Sequence, residues 1–195
     1  MSKAEKTRAF IVEKTAPIFN TKGYAGTSLT DMTDATGLTK GSIYGNFENK
    51  DEVALAAFDF NLRQVRSIIG AEMDKRSTVK EKLLVYVDVY ENFMHYPFPV
   101  GGCPILNTAV EADDTHPGLK KKAADAIISW KNSVIKLVEE GQRKGEFSPG
   151  LEAEQVALTI IAMIEGGVMI SKLTGKQAYR KAVMQSVSDY VKGLV

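Results

Sequence analysis

The chain has 195 residues, enough for one large domain or for a small domain joined to a larger one. Its 44% hydrophobic content suffices for a full core, and 25 basic against 24 acidic residues leave a net charge of +1. That balance excludes binding to a polyanion through bulk charge, while a local basic patch survives the averaging. A single cysteine, Cys103, excludes an internal disulfide and any multi-cysteine zinc or iron–sulfur site. No uninterrupted apolar run approaches the roughly 20 residues that span a bilayer, and residues 1–8 lack a signal-peptide core. The expectation is a cytoplasmic, all-α protein with no membrane segment.

From the start of the chain, Ile11, Thr15, Ile18 and Phe19 recur at helical spacing. Pro17 lies inside this stripe and predicts a kink between Lys14 and Pro17. Gly23, Gly26 and Gly37 then divide the first fifty residues into short pieces. Thr27 or Ser28 is a good N-cap, with Asp31 suited to the positive end of the helix that follows. Leu29, Met32 and Ala35 form its inner face, Gly37 ends it, and Leu38 pins the turn. Thr39 caps a second short helix with Ile43 and Phe47 inward. Two short helices joined by a glycine-containing turn describe a helix-turn-helix.

The outward side of the second helix carries Thr39, Lys40, Gly41, Ser42, Tyr44 and Asn46. These are donors, small residues and one phenol, without a carboxylate, which suits a helix entering a DNA major groove. Residues 1–50 hold seven Lys/Arg and five Asp/Glu, a modest basic excess that predicts shallow non-specific binding. Without a partner, the same pattern describes a compact three-helix tip with a solvated face.

After Asp51 the helical patterns lengthen to about 15–25 residues, above the average for globular helices. Val85, Val89 and Phe93 recur at helical spacing, as do Ile127, Trp130, Val134 and Leu137, then Tyr179, Val183, Ser186, Tyr190 and Leu194. Val and Ile nowhere alternate with polar residues long enough to argue a strand. The strongest break is the stretch from Tyr96 to Pro104, followed by breaks at 116–118, 145–150 and 174–175. This predicts a small module over residues 1–50 and a helical body over 51–195, joined through a helix that starts near Asp51.

The stretch from Arg8 to Asp51 resembles the DNA-binding domain of the TetR/AcrR family of bacterial transcriptional regulators. The resemblance rests on Arg8, Ile11, Ala16, Phe19, Gly23-Tyr24, Thr27-Ser28-Leu29, the run Gly37 to Tyr44, Phe47 and Lys50-Asp51. It implies base-edge contacts from Lys40, Gly41 and Ser42, and phosphate contacts from Thr27, Ser28, Tyr44 and Lys50. Gly45 and Asn46 depart from the family pattern, where an aromatic residue and a histidine are frequent. Asn46 can still bond a phosphate or an adenine edge. The resemblance also implies a six-helix C-terminal domain enclosing a ligand pocket and a dimer interface, with palindromic double-stranded DNA as the partner.

Within that body, the helices over about 152–173 and 176–193 are the candidates for dimerisation. Val156, Ala157, Ile160, Ile161, Met163, Ile164, Val168 and Ile170 cover most of the circumference of the first. Gly166-Gly167 would admit a partner backbone. A twofold dimer would present two reading helices to half-sites roughly 34–36 Å apart, or a multiple of that. Candidate pocket residues are Tyr86, Tyr90, Phe93, Phe98, Cys103, Trp130, Met163 and Met169, any of which could equally be core. Glu165 stands out in an apolar helix, as a ligand contact or a structural partner.

Cys103 precedes a helix expected to begin at Pro104 or Ile105, where the dipole stabilises a thiolate. The stretch Gly102 to Asn107 with Glu111 resembles a branch of the family in which this cysteine, in some members, senses oxidants or electrophiles. A buried, inert thiol is the alternative. Glu111, Asp113, Asp114 and His116 read as an exposed loop before Pro117 rather than a metal site, and no catalytic motif is present. Neither metal nor cofactor is expected. The sequence therefore predicts a homodimeric regulator, a repressor released from its operator by a small molecule or an electrophile. Two alternatives stand beside it, a helical small-molecule-binding protein and a DNA-binding architectural protein without an effector.

Overall fold

A computed structural model describes residues 2–195, and the elements in it are helical: α1 (Lys3–Gly26), α2 (Leu29–Thr36), α3 (Lys40–Tyr44), α4 (Lys50–Met73), α5 (Val79–Glu91), α6 (Pro104–Ala112), α7 (Pro117–Arg143), α8 (Ala153–Thr174) and α9 (Gln177–Lys192), with a 3-10 turn at Phe93–His95. Two compact units result, one from residues 1–65 with 99–125, the other from 66–98 with 126–195. Helices α4 and α7 therefore each contribute to both.

In the first unit, α1 opens on a capping box between Ser2 and Glu5. The helix runs through Pro17 in helical geometry, and the expected kink lies instead at Gly23, with φ 74° and ψ 178°. Proline's fixed φ is itself helical, whereas these angles fall in a region open essentially to glycine alone. The reversal exposes the N–H groups of Tyr24 and Ala25. Both donate to the carboxylate of Glu111 on α6, at 2.9 and 2.8 Å. The carboxylate occupies the space that a side chain at Gly23 would fill.

The loop leading into α6 is tied to the same end of α1. The Asn20 amide donates to the carbonyls of Val100 and Gly102 at 2.7 and 3.0 Å. The Asn107 amide donates to the carbonyls of Asn20 and Gly101 at 2.9 and 3.0 Å. Gly101, at φ 91°, passes so close to α1 that a Cβ would stand 2.9 Å from the Asn20 carbonyl oxygen. From α4, the buried Asn61 amide donates to the Ala16 carbonyl at 3.0 Å. Ile11, Ala16, Met32, Ile43, Val53 and Ala57 fill the core between these polar ties.

In the second unit, α5 begins at a capping box of Thr78 and Glu81. The Glu146 carboxylate also accepts the N–H groups of Val79 and Lys80, at 3.1 and 2.9 Å. Helices α8 and α9 pair closely because Gly167 lacks a side chain; a Cβ there would lie 3.0 Å from Val183. The buried stripe of α9 is Arg180, Met184, Val187 and Val191. The expected stripe of Tyr179, Val183, Ser186, Tyr190 and Leu194 lies one position away, about 100° around the helix, and of it only Leu194, past the helix end, is buried. Helix α8 is long and apolar enough to cross a membrane by length and composition, although Glu154 and Glu165 interrupt its apolar run. Its Val156, Ala157, Ile160, Ile164 and Val168 are nonetheless buried within the unit, as in the core helix of a globular domain.

Replacing Gly23 with Ala forces a side chain into forbidden dihedrals and into the Glu111 carboxylate, and should destabilise the protein by about 2–5 kcal/mol. Gly26→Ala meets only an ordinary 3.4 Å contact with Lys22. Urea unfolding should leave it within about 1 kcal/mol of wild type.

Candidate nucleic-acid interface

Helix α2 is fixed at its start by reciprocal bonds. Ser28 Oγ accepts the Asp31 N–H at 3.0 Å, and the Asp31 carboxylate accepts the Ser28 N–H at 2.8 Å. Lys22 adds an ion pair to Asp31 at 2.6 Å. The Lys22 ammonium, then the Ser28 N–H and hydroxyl, hold the Asp31 carboxyl far below the usual carboxylate range. Gly37 closes the helix, its N–H donating to the Thr33 carbonyl at 2.8 Å. Thr39 then caps α3, its hydroxyl oxygen accepting the Ser42 N–H at 3.2 Å.

Helix α3 has five residues, too few to hold themselves in a helix in water. Ile43, fully buried, and Phe47 anchor it from within. Its C-terminal end is gripped by Arg8 of α1, whose guanidinium donates to the Asn46 carbonyl and lies 3.9 Å over the Phe47 ring. Arg8 also pairs with Glu52 at 2.6 Å, and Glu52 accepts the Glu48 N–H at 2.7 Å. The Glu48 N–H first, and Arg8 second, lower the Glu52 pKa. The sequence reading used Arg8 only as part of a family pattern. No local signal marks its grip, because its partners lie some forty residues away.

The anticipated contact residues divide by environment. Thr39, Lys40 and Gly41 are exposed, and a side chain at Gly41 would meet nothing nearer than 4.0 Å. Ser28 is exposed, while Ser42, Tyr44, Asn46 and Lys50 are half-buried. The Asn46 amide turns back to donate to the Ser42 carbonyl at 2.9 Å. Thr27 differs from its expected surface role: it is buried, and its hydroxyl donates to the Gly23 carbonyl at 2.6 Å, closing the turn after the kink. The Lys50 ammonium lies 4.3 Å from the centre of the Tyr24 ring. The Tyr24 hydroxyl donates to Asp51, a bond that pushes the phenol up to about 12. The exposed surface can thus offer hydrogen-bond donors and a cation at close range, with no carboxylate on the face.

Five of the pocket candidates come together in the second unit. Tyr90 stacks on Trp130 at 5.5 Å, Tyr86 meets Trp130 at 5.6 Å, Tyr90 meets Phe98 at 5.5 Å, and Phe93 stacks on Phe98 at 5.3 Å. Met163 and Glu165 are half-buried on α8, and Met169 is 44% exposed, so it is no lining of an enclosed cavity. Cys103, in the first unit, is 1% exposed at the N-cap of α6, which begins at Pro104. His116 is buried rather than in an exposed loop, because its Nδ1 accepts the Leu119 N–H at 3.1 Å at the start of α7. With Glu111 committed to α1, Asp113 at the C-cap of α6 and His116 at the start of α7, these residues serve helix ends.

Two family models match the chain. "Bacterial regulatory proteins, tetR family" covers residues 11–57, and "Tetracyclin repressor-like, C-terminal domain" covers residues 79–187. A solved TetR-family transcriptional regulator from Cytophaga hutchinsonii is 50% identical, with a TM-score of 0.96 over 100% of this chain and 97% of that one. Another, from Chloroflexus aurantiacus J-10-FL, is 37% identical, with a TM-score of 0.94 over 100% and 98%. The HTH-type transcriptional repressor DhaR of Mycobacterium sp. (strain GP1) is 24% identical, over 85% of this chain and 82% of its own.

The Asp31 ties carry a pH signature. Because its folded pKa is depressed, its stabilisation is complete above the ordinary aspartate range and is lost as pH falls through the folded value. Thermal melts from pH 7 down to about pH 2 should show the wild type losing stability below the ordinary aspartate range more steeply than Asp31→Asn, which starts lower and flattens that limb.

Proposed function

Because the chain belongs to the TetR family of bacterial transcriptional regulators, DNA-binding proteins rather than enzymes, we propose that it is a homodimeric, cytoplasmic repressor of a palindromic operator, released by a small-molecule effector. The observation that carries the reading is the exposed face of α3. Thr39, Lys40 and Gly41 stand clear of the protein with no carboxylate among them, on a helix gripped by Ile43, Phe47 and Arg8. Lys40, Gly41 and Ser42 meet base edges in this reading, with Ser28, Tyr44 and Lys50 on phosphates. Thr27 acts behind them by setting the turn from which Ser28 projects.

Dimerisation is supported by α8. Leu158 and Met169 are 48% and 44% exposed, Leu173 is 80% exposed, and Ala162 shares their face at helical spacing. Beside them, a side chain at Gly166 would meet nothing within 4 Å, whereas Gly167 is already used by α9. A second copy seated on this stripe removes an apolar surface from water. The effector reading rests on the ring cluster of Tyr86, Tyr90, Phe93, Phe98 and Trp130. Burial of Cys103 favours a non-covalent effector there over an electrophile at the thiol. Helix α4 starts beside the reading helix and continues into the second unit, so a rearrangement there can shift the population of DNA-binding states.

Selection of bound DNA from a random oligonucleotide pool should enrich a palindrome whose half-sites lie roughly 34–36 Å apart, or a multiple of that. Treatment with a thiol-reactive electrophile should leave the enrichment intact; its loss would assign the signal to Cys103. No enriched sequence would overturn the regulator reading. On the selected site, Lys40→Ala should weaken binding by about 1–3 kcal/mol while leaving the melting temperature unchanged. In analytical ultracentrifugation, Leu173→Glu should shift the protein from dimer toward monomer; an unchanged dimer would remove the α8 stripe from the interface.

A further inference from the structure

Arg180 occupies a position that the fold reserves for an apolar side chain. It heads the inward stripe of α9 and is 6% exposed, followed by Met184, Val187 and Val191 at 0%. Its guanidinium carbon lies 4.0 Å over the Phe93 ring, and its Nε is buried without a hydrogen-bond partner. Glu91 acts on it through space without an ion pair, and burial lowers its pKa. An arginine stays charged under these conditions, and a buried Nε with no hydrogen-bond partner is costly.

The surroundings deepen the deficit. Arg180 sits in the first turns of α9, where the helix dipole disfavours a cation, and that first turn has no acidic residue. The N-cap, Lys176, makes no side-chain capping bond. From Gly166 to Ser188 the sequence carries Lys172, Lys176, Arg180 and Lys181 and no Asp or Glu. Behind the guanidinium runs a continuous line of rings, Phe93, Phe98, Tyr90 and Trp130, in steps of 5.3, 5.5 and 5.5 Å. Trp130 Nε1 at the far end is also buried without a partner.

We propose that Arg180 is the anion anchor of the effector site and that the effector is a monoanionic carboxylic acid with an aromatic body. This rests on the ring-cluster reading above and names the ligand class for it. A guanidinium lying over a ring keeps its in-plane N–H edge available, the geometry that takes a carboxylate bidentately. The apolar part of the ligand lies along the rings that lead inward from Phe93. A phosphate dianion fits less well, since one guanidinium leaves half of its charge unpaired. The ordinary role for such an arginine is to cover Phe93 with its stem, and that role predicts no ligand dependence.

The chain has a single tryptophan, so Trp130 emission reports the cluster directly. The full-length protein is titrated with phenylacetate and 4-phenylbutyrate, and in parallel with phenylacetamide and 4-phenylbutyramide. The acids should bind at least tenfold tighter than the amides, about 1.4 kcal/mol. Arg180→Met should abolish that preference, and Arg180→Lys should keep part of it. Arg180→Met should also melt no lower than wild type, since it removes a buried N–H that has no partner; if it fails to fold, Arg180→Lys alone carries the comparison. Equal binding of acids and amides, or a preference that survives Arg180→Met, overturns the anchor and leaves the ring pocket standing. Silence from all four compounds overturns the anchor and the pocket together, while operator selection still tests the regulator itself.

Discussion

The carboxylate of Glu111 stands where Gly23 has no side chain, and the geometry of the first unit depends on that contact. A helix start leaves backbone N–H groups without partners, and the turn that restarts after the reversal at Gly23 leaves those of Tyr24 and Ala25 facing α6. Glu111 accepts both, so one acidic group satisfies two donors and fixes the angle at which the chain leaves α1. Thr27 then bonds back to the Gly23 carbonyl and Ser28 begins α2, which makes the direction of α2 a consequence of the kink. Asn20, Asn107 and Gly101 hold the same end of α1 to the loop before α6. Without the kink these bonds have no common origin.

The same device recurs in the second unit, where Glu146 receives the N–H groups of Val79 and Lys80 at the start of α5. Both glutamates come from distant sequence and both answer an unpaired helix end, which is inexpensive for a carboxylate that keeps contact with solvent. Helix α3 depends on distant residues in the same way. Five residues cannot pay for their own nucleation, so its position is set by Ile43 and Phe47 below and Arg8 across its end. A reading surface is thereby left free of structural duty, with Lys40 and Gly41 exposed.

Much of this was legible in local patterns. The caps Ser28 and Thr39, the stop at Gly37 and the inward Ile43 and Phe47 all follow from rules that span four residues or fewer. The start of α6 at Pro104 and the length of the last two helices are legible in the same way. The reading failed for different reasons at different places. Pro17 looked like the break because its own chemistry opposes a helix, but the break fell where Glu111 could answer it. The α9 stripe was misassigned by one position because Tyr179 and Tyr190 resemble core residues, while Arg180 does not. His116 looked like loop and is a buried cap.

The sequence by itself determined the helices, the two short ones with their turn, and the family to which they belong. Spacing, capping chemistry and glycine placement act between near neighbours, and near neighbours are written in order along the chain. Only the tertiary structure decided which polar groups face one another: Glu111 with Gly23, Arg8 with Phe47, Arg180 with Phe93. Those pairings join residues from about forty to ninety positions apart. They are selected by the fit of charge to unpaired donors and of rings to cations once the helices are packed.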